Sequence, residues 1–273
     1  MSHAGADEKR LEETLNHIRK KYIVLSGKGG VGKSTLAVNI AYGLAGLGRQ
    51  VGLLDCDLHG PSVPTMTGLA DFKGEGSEDT FIPALSIEGR LKIMSTQFYL
   101  QNRHDSVIWR GPLKHSVIAR FIGHTHWGEL DYLIIDSPPG TGDEPLSVVQ
   151  TAHPDGAIIV TTPQEVSTFD VRKSIDFCQK LDLPVVGIVE NMSGFICTHC
   201  GKQTDIFGTG GGKRLAEETG LPFLGSIPLA PAFVVQGDLG KPMMTTTFED
   251  VKRPLMAIVQ AIINPTNRHK NKA

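Results

Sequence analysis

Ten consecutive residues, Ser26-Gly27-Lys28-Gly29-Gly30-Val31-Gly32-Lys33-Ser34-Thr35, concentrate glycines, two lysines and a closing Ser-Thr pair. Gly27 to Ser34 satisfy G-x-x-x-x-G-K-[ST], the pattern of a loop that cradles phosphates. Glycines let successive backbone N–H groups turn toward a polyanion. A helix starting at the same place adds the positive end of its dipole. Lys33 is expected to neutralise the terminal phosphates, and the Ser34 hydroxyl to complete a Mg²⁺ shell. Residues 27–35 are thus the expected nucleotide-binding segment. Lys28 is a second cation at the start of the loop, opposite Lys33, where contact with the same nucleotide is awkward.

Two acidic positions follow apolar runs. Tyr132-Leu133-Ile134-Ile135 ends in Asp136, the Walker B arrangement that aims a carboxylate at Mg²⁺. Val51-Gly52-Leu53-Leu54 ends in Asp55-Cys56-Asp57, where a carboxylate can orient an attacking water or hold a metal-bound one. Capping of the local turn is the alternative for Asp55 and Asp57. After Asp136, Pro138 and Pro139 stiffen a turn, and Gly140 and Gly142 can flip with the state of a γ-phosphate, so 136–143 reads as a switch segment.

The third constellation is Cys197-Thr198-His199-Cys200-Gly201, two thiols on one tight turn. Thiol–disulfide chemistry is one reading of C-x-x-C, but such pairs open a helix, and here Gly201 and polar residues follow. Metal binding fits better, although a structural Zn²⁺ or an iron–sulfur cluster takes four ligands and this turn offers two. Cys56 and Cys178 read as core residues, and His199 as solvent-facing with a ligand role left open. A two-fold dimer in which each subunit supplies Cys197 and Cys200 is the economical solution.

These groups need a scaffold. Apolar runs recur at Tyr22–Ser26, Val51–Asp55, Leu91–Ser95, Tyr132–Asp136, Ala157–Thr161, Val185–Glu190 and Phe223–Ile227, as expected for strands covered on both faces. Between them lie helical patterns at Ser34–Leu47, Pro112–Ile122, Ser167–Leu181 and Gly212–Thr219. The alternation predicts a doubly wound, mostly parallel α/β sheet of about seven strands with helices on both faces. Ligands on such a sheet bind beyond the carboxyl ends of the strands, where all three constellations fall. Phe72–Thr80 reads as a surface loop. A leading helix, Glu8–Lys20, carries Leu11, Leu15 and Ile18 on one stripe and is expected on the sheet edge. The organisation is a helical extension at 1–21, one nucleotide-hydrolase domain at 22–264 with the C-x-x-C loop, and a basic tail at 265–273.

Composition narrows the function classes. In 273 residues, 27 Lys+Arg against 29 Asp+Glu leave a net charge of −2, so no overall positive field draws the chain to nucleic acid or anionic lipid. Hydrophobic residues at 40% suffice for a real core, which excludes a disordered chain. No run approaches the roughly 20 apolar residues of a membrane span. Four cysteines are too few for a disulfide scaffold, which points to a reducing cytosol.

The run Lys28-Gly29-Gly30-Val31-Gly32-Lys33-Ser34 resembles the deviant P-loop ATPases of the MinD/ParA/ArsA type. That resemblance implies that Lys28 crosses a dimer interface to the partner's phosphates, as an arginine finger does in trans, so the same two-fold axis serves Lys28 and the cysteines. It implies that Asp57 positions the attacking water with Asp55 behind it near Mg²⁺, that Asn191 bonds the purine edge, and that Pro228 closes over the ring. With Gly60-Pro61-Ser62, 136–143, Val189-Glu190-Asn191-Met192-Ser193 and Cys197-x-x-Cys200-Gly201 added, the chain resembles the Mrp/ApbC iron–sulfur cluster carrier ATPases from about Tyr22 to the carboxyl terminus. The implied function is ATP- and Mg²⁺-dependent carriage of a [4Fe–4S] cluster between two subunits and its transfer to apoproteins. Zinc is an alternative occupant in aerobic preparations, and hydrolysis is expected to be slow because Asp57 is the one strong water activator read within a chain. Neither the extra amino-terminal domain of many bacterial relatives nor the amino-terminal cysteine cluster of eukaryotic ones is seen in this sequence.

Three alternatives compete. A MinD/ParA-type positioning ATPase has no use for Cys197 and Cys200, and 267–272 lacks the Trp or Phe anchors of a membrane-binding helix. A reductase like the nitrogenase iron protein needs a cysteine beside the second switch, and 136–143 has none. A zinc-bridged ATPase dimer shares every motif and differs only in the metal.

Overall fold

The computed structural model describes residues 3–57, 60–77, 80–99, 111–197, 199–200 and 202–264. Thr198, Gly201 and the basic tail 265–273 lie outside the described residues. In chain order the elements are α1 (His3–Asn16), β1 (Lys21–Ser26), α2 (Lys33–Gly46), β2 (Val51–Asp55), α3 (Val63–Met66), β3 (Glu75–Ser77), β4 (Thr80–Ile82), β5 (Ala84–Ser86), β6 (Leu91–Ser95), α4 (Gly111–Gly123), β7 (Tyr132–Asp136), α5 (Asp143–Ala152), β8 (Gly156–Thr161), α6 (Glu165–Lys180), β9 (Val185–Glu190), β10 (Phe195–Ile196), β11 (Gln203–Thr204), α7 (Gly211–Thr219), β12 (Phe223–Ser226), α8 (Ala232–Asp238) and α9 (Glu249–Ile263).

The main sheet has eight strands in the order β12-β9-β8-β1-β7-β2-β6-β5. Its pairings are parallel except β5–β6. The seven expected strands are all in it; β1, β2, β7 and β8 are buried almost throughout, which is why they read as apolar runs, whereas the edge strand β12 is half-buried to exposed. The eighth is β5, three residues at the edge. Phe72–Thr80, expected to be a loop, holds β3 and the start of β4, paired as an antiparallel ribbon. Phe72 there packs edge-on against Phe98, with ring centroids 4.9 Å apart.

The leading helix also differs from expectation. It ends at Asn16, because the amides of Arg19 and Lys20 are taken by the carbonyls of Leu130 and Asp131. It lies on α4, not on the sheet edge: Thr14 Oγ1 donates to the Gly123 carbonyl at 3.1 Å, and a Cβ on Gly123 would meet the Leu11 backbone at 3.1 Å. Ile18 falls beyond the helix, bridging to Leu130.

Sheet order decides which chain segments meet. β1 and β2 both flank β7, so the loop after β1 and the acids ending β2 and β7 converge at one carboxyl edge. Asp55 and Asp136 are register partners, which puts their side chains on the same face. α2 descends from that edge with its residues from Leu36 to Ala45 buried. Gly43 lets α9 approach, since a Cβ there would lie 2.7 Å from Val259 Cγ2.

Candidate functional site

The cradle lies between β1 and α2. Gly30 and Gly32 have φ of 79° and 85°, which side chains rarely adopt. Gly27 is demanded by contact instead: a Cβ would stand 2.6 Å from the Asp170 backbone on α6. No side chain caps α2, so its first N–H groups are left for a ligand.

Lys33 Nζ donates to Asp136 Oδ1 at 2.5 Å and to Ser34 Oγ at 3.2 Å. Lys33 is 7% exposed and Asp136 0%. The other carboxylate oxygen, Asp136 Oδ2, is buried with no hydrogen-bond partner among the described residues. An orphaned buried acceptor beside a hydroxyl is a donor set suited to Mg²⁺ and its waters.

Asp55 is buried beside this pair. Its Oδ2 accepts from Ser95 Oγ at 3.2 Å and its Oδ1 from the Asp57 amide at 3.1 Å. Burial pushes the Asp55 carboxyl well above the usual range, the Asp136 carboxylate adds to this, and Lys33 opposes it. Burial raises Asp136 too, but Lys33 in direct contact pulls it back. Of the two acids, Asp55 keeps its proton to higher pH. Asp57 is half-buried, and its Oδ1 accepts from the Gly60 amide at 3.1 Å. Both acids thus cap the turn after β2, the plainer of their two expected roles. In the second switch segment, the Gly140 amide, at φ 89°, donates to the Ser26 carbonyl at 2.9 Å.

Asn191 and Pro228 share a cleft of about 480 Å³ beside the cradle, together with Gly32, Thr35, Met66 and Phe233. The Asn191 amide donates to the Val31 carbonyl at 2.9 Å, so it braces the cradle as well as lining the cleft. Lys28 is half-buried, and among the described residues its ammonium is in no ion pair.

The cysteines lie in the turn of a two-stranded ribbon, β10–β11, where the Cys197 amide donates to the Lys202 carbonyl at 3.0 Å, and Cys197 lines a cleft with residues 228–232 and 247–251. Cys200 and His199 are exposed and Cys197 partly so. Donors from Cys200, then from the His199 amide, hold the Cys197 thiol below its ordinary value, which favours the metal-binding thiolate. Among the described residues no group of three His, Cys, Asp or Glu could hold a metal ion. Cys56 and Cys178 are buried core thiols, as expected; burial pushes Cys178 up to about 12. Of the four cysteines, Cys197 and Cys200 are the two that are not buried.

A family model described as ParA, NUBPL iron-transfer P-loop NTPase, matches residues 17–263. The chain belongs to this NUBPL/ParA family. Iron transfer and nucleotide hydrolysis are accordingly its activity class. Among relatives of this NUBPL-type chain, an iron-sulfur cluster carrier protein of Methanocaldococcus jannaschii is 45% identical over 257 residues, covering 93% of this chain and 88% of that one. The cytosolic Fe-S cluster assembly factor CFD1 of Saccharomyces cerevisiae is 50% identical over 228 residues, 81% and 78% of the two chains. A solved nucleotide-binding protein from Archaeoglobus fulgidus, in complex with ADP, superposes with TM-score 0.76 at 41% identity over 86% of this chain and 91% of that one. MinD of Aquifex aeolicus superposes with TM-score 0.65 at 19% identity, over 90% and 97%, and shares the fold alone.

Two features had roles that the sequence did not give, although Glu190 lies within one of the motifs quoted above. Glu190 is a buried carboxylate whose donors are the Ser193 hydroxyl and two backbone amides distant in sequence. Val166 and Phe169 on α6 are 69% and 62% exposed and sit next to Asp170, the residue against Gly27. Exposed large apolar residues were detectable only once the sheet had assigned each helix its buried face.

Proposed function

We propose that the chain is an ATP-binding and ATP-hydrolysing carrier that, as a homodimer, holds a [4Fe–4S] cluster between the Cys197 and Cys200 pairs of two subunits and passes it to apoproteins. The observation that carries this reading is the half-site: two accessible thiols on one turn, with no group of three His, Cys, Asp or Glu able to hold a metal among the described residues. A two-fold axis completes it to four. The exposed Val166 and Phe169 support a docking face beside Lys28, and Ile206 and Phe207 extend it toward the cysteines, since Gly208 approaches Pro163 at the foot of α6. Across that face Lys28 reaches the partner's phosphates.

Within one subunit, residues 27–35 wrap the phosphates, and Lys33 exchanges Asp136 for the terminal phosphate when nucleotide enters. Ser34 and Asp136, with Asp55 behind them, would hold Mg²⁺, which when bound neutralises charge on the transferred group. Asp57 leaves its turn-capping bond to orient the attacking water. Asn191 and Pro228 select adenine, and turnover is slow, with Asp57 as its water-orienting group. The relatives named cytosolic support a cytosolic carrier. No helix among the described residues is long and apolar enough to cross a membrane, and a net charge of −2 gives no basis for nucleic-acid binding.

Anaerobic reconstitution with iron and sulfide tests the site. Parent protein should acquire both, and Cys197→Ala and Cys200→Ala should acquire neither. Zinc near one per dimer, with no iron or sulfide taken up, supports the zinc-bridged alternative and rejects cluster carriage. Cluster loading and transfer surviving in Cys197→Ala would reject the site.

A further inference from the structure

Glu190 ends β9 and is 1% exposed, yet no step above uses its carboxylate. A buried carboxylate must be compensated, and its compensation comes from both ends of the segment that bears the cysteines. Oε1 accepts from Ser193 Oγ at 2.5 Å, where the chain leaves β9. It also accepts from the Gly210 amide at 2.8 Å, where the chain returns. Oε2 accepts from the Gly212 amide at 2.5 Å, in the first turn of α7. Between these feet lies the ribbon with Cys197 and Cys200, whose first strand is also tied to the rest of the fold by the Leu229 amide, which donates to the Gly194 carbonyl at 2.8 Å. Gly212 makes the approach possible, since a Cβ there would stand 3.1 Å from Glu190 Cβ and 2.9 Å from Thr161 Cγ2.

The next two residues face the other way. Asn191 bonds the Val31 carbonyl of the cradle. Met192 adopts the left-handed φ of 58°, and its Cε lies 4.0 Å from where a Cβ on Gly32 would be. Left-handed backbone in a non-glycine residue persists only where its surroundings hold it. The Ser193 amide then bonds the Ile227 carbonyl at 2.9 Å. Three successive residues thus join the phosphate cradle to the root of the cysteine ribbon.

We propose that Glu190 is a positioning residue that clamps both feet of the cysteine ribbon to β9, so that nucleotide-dependent movement at Asn191 reaches Cys197 and Cys200 instead of being absorbed in the intervening loop. This rests on the nucleotide-dependent carrier reading above. The carboxylate suits the place because it accepts from two amides at and just before the positive end of α7. Glu190→Gln keeps the shape but turns an NH₂ toward an amide or hydroxyl donor, so at least one clamp bond is lost.

The test uses the anaerobically reconstituted full-length dimer and an apo-aconitase acceptor. Cluster transfer is timed with and without Mg-ATP, beside iron content and ATP affinity. For Glu190→Gln, iron content and ATP affinity should stay within about threefold of parent, while the nucleotide-dependent change in transfer rate falls at least about fivefold. Ser193→Ala, which removes one foot of the clamp, should lose about half of that change. A parent-like nucleotide response in Glu190→Gln overturns the clamp and leaves the carrier reading standing. A parent protein whose transfer ignores nucleotide overturns the coupled-carrier reading and the clamp together. Should the glutamine variant not fold, Ser193→Ala decides: a full nucleotide response there overturns the proposal.

Discussion

Replacing Gly32 with alanine meets two constraints at once, and they can be separated. The backbone at φ 85° costs a non-glycine residue about 1–2 kcal/mol. The new Cβ would stand 2.1 Å from Asn191 Nδ2, so the amide must withdraw and its bond to the Val31 carbonyl is lost. Losing that bond from a buried site costs about 1–2 kcal/mol, for a total of about 2–4 kcal/mol. Asn191→Ala alone loses the same bond and costs about 1–3 kcal/mol. In the Asn191→Ala background the obstacle has gone and the bond is already missing, so Gly32→Ala should cost only its backbone share. The double-mutant cycle should therefore show a coupling of about 1–2 kcal/mol, above the roughly 0.3–0.5 kcal/mol scatter of independent sites. Urea unfolding of the four metal-free proteins in reducing buffer measures it. Additivity within about 0.5 kcal/mol would refute the reasoning, because Asn191 would then not be bracing the cradle.

Other substitutions probe the remaining parts. Lys33→Ala strands Asp136 in the interior and should cost about 3–5 kcal/mol, largely recovered in Lys33→Ala/Asp136→Asn, as read by denaturation. Lys28→Ala should leave stability within about 0.5 kcal/mol yet lower ATP turnover toward the ~10³-fold loss typical of a missing in-trans cation; unchanged turnover would place Lys28 outside the reaction. For Asp55 the folded carboxyl holds its proton above the pH at which the unfolded chain releases it, so stability falls as pH rises from the ordinary carboxylate range toward the raised value and then levels. Asp55→Asn should flatten that slope in pH-dependent denaturation, and an unchanged slope would assign it to another group. Phe169→Glu should shift the nucleotide-bound protein toward monomer in sedimentation while ATP still binds; a dimer of parent strength would move the interface elsewhere.

How much of this was legible in the sequence depended on burial and distance. The central strands were readable because helices cover both faces of the sheet there and leave apolar runs, and β12 at the edge was readable from Phe223 and Leu224 despite its exposure. β3 was not, because Glu75, Gly76 and Ser77 are all exposed and carry no alternation. The stripe Leu11 and Leu15 announced an apolar helix face, but which surface receives it is a long-range fact, and α4 won over the sheet edge. The cradle, the acids and the cysteine turn were visible as local spacings. The pairing of Asp55 with Asp136 was not, since it requires β2 to lie next to β7. Glu190 was hidden for the same reason: two of its donors are backbone amides 20 and 22 residues away, and backbone has no sequence signature.

The half-site is tested most directly by native mass spectrometry of the anaerobically reconstituted protein. Expected is a species of two chains with one [4Fe–4S] cluster, dissociating to metal-free monomers when both Cys197 and Cys200 are replaced. A single chain that retains a full complement of iron and sulfide would contradict it.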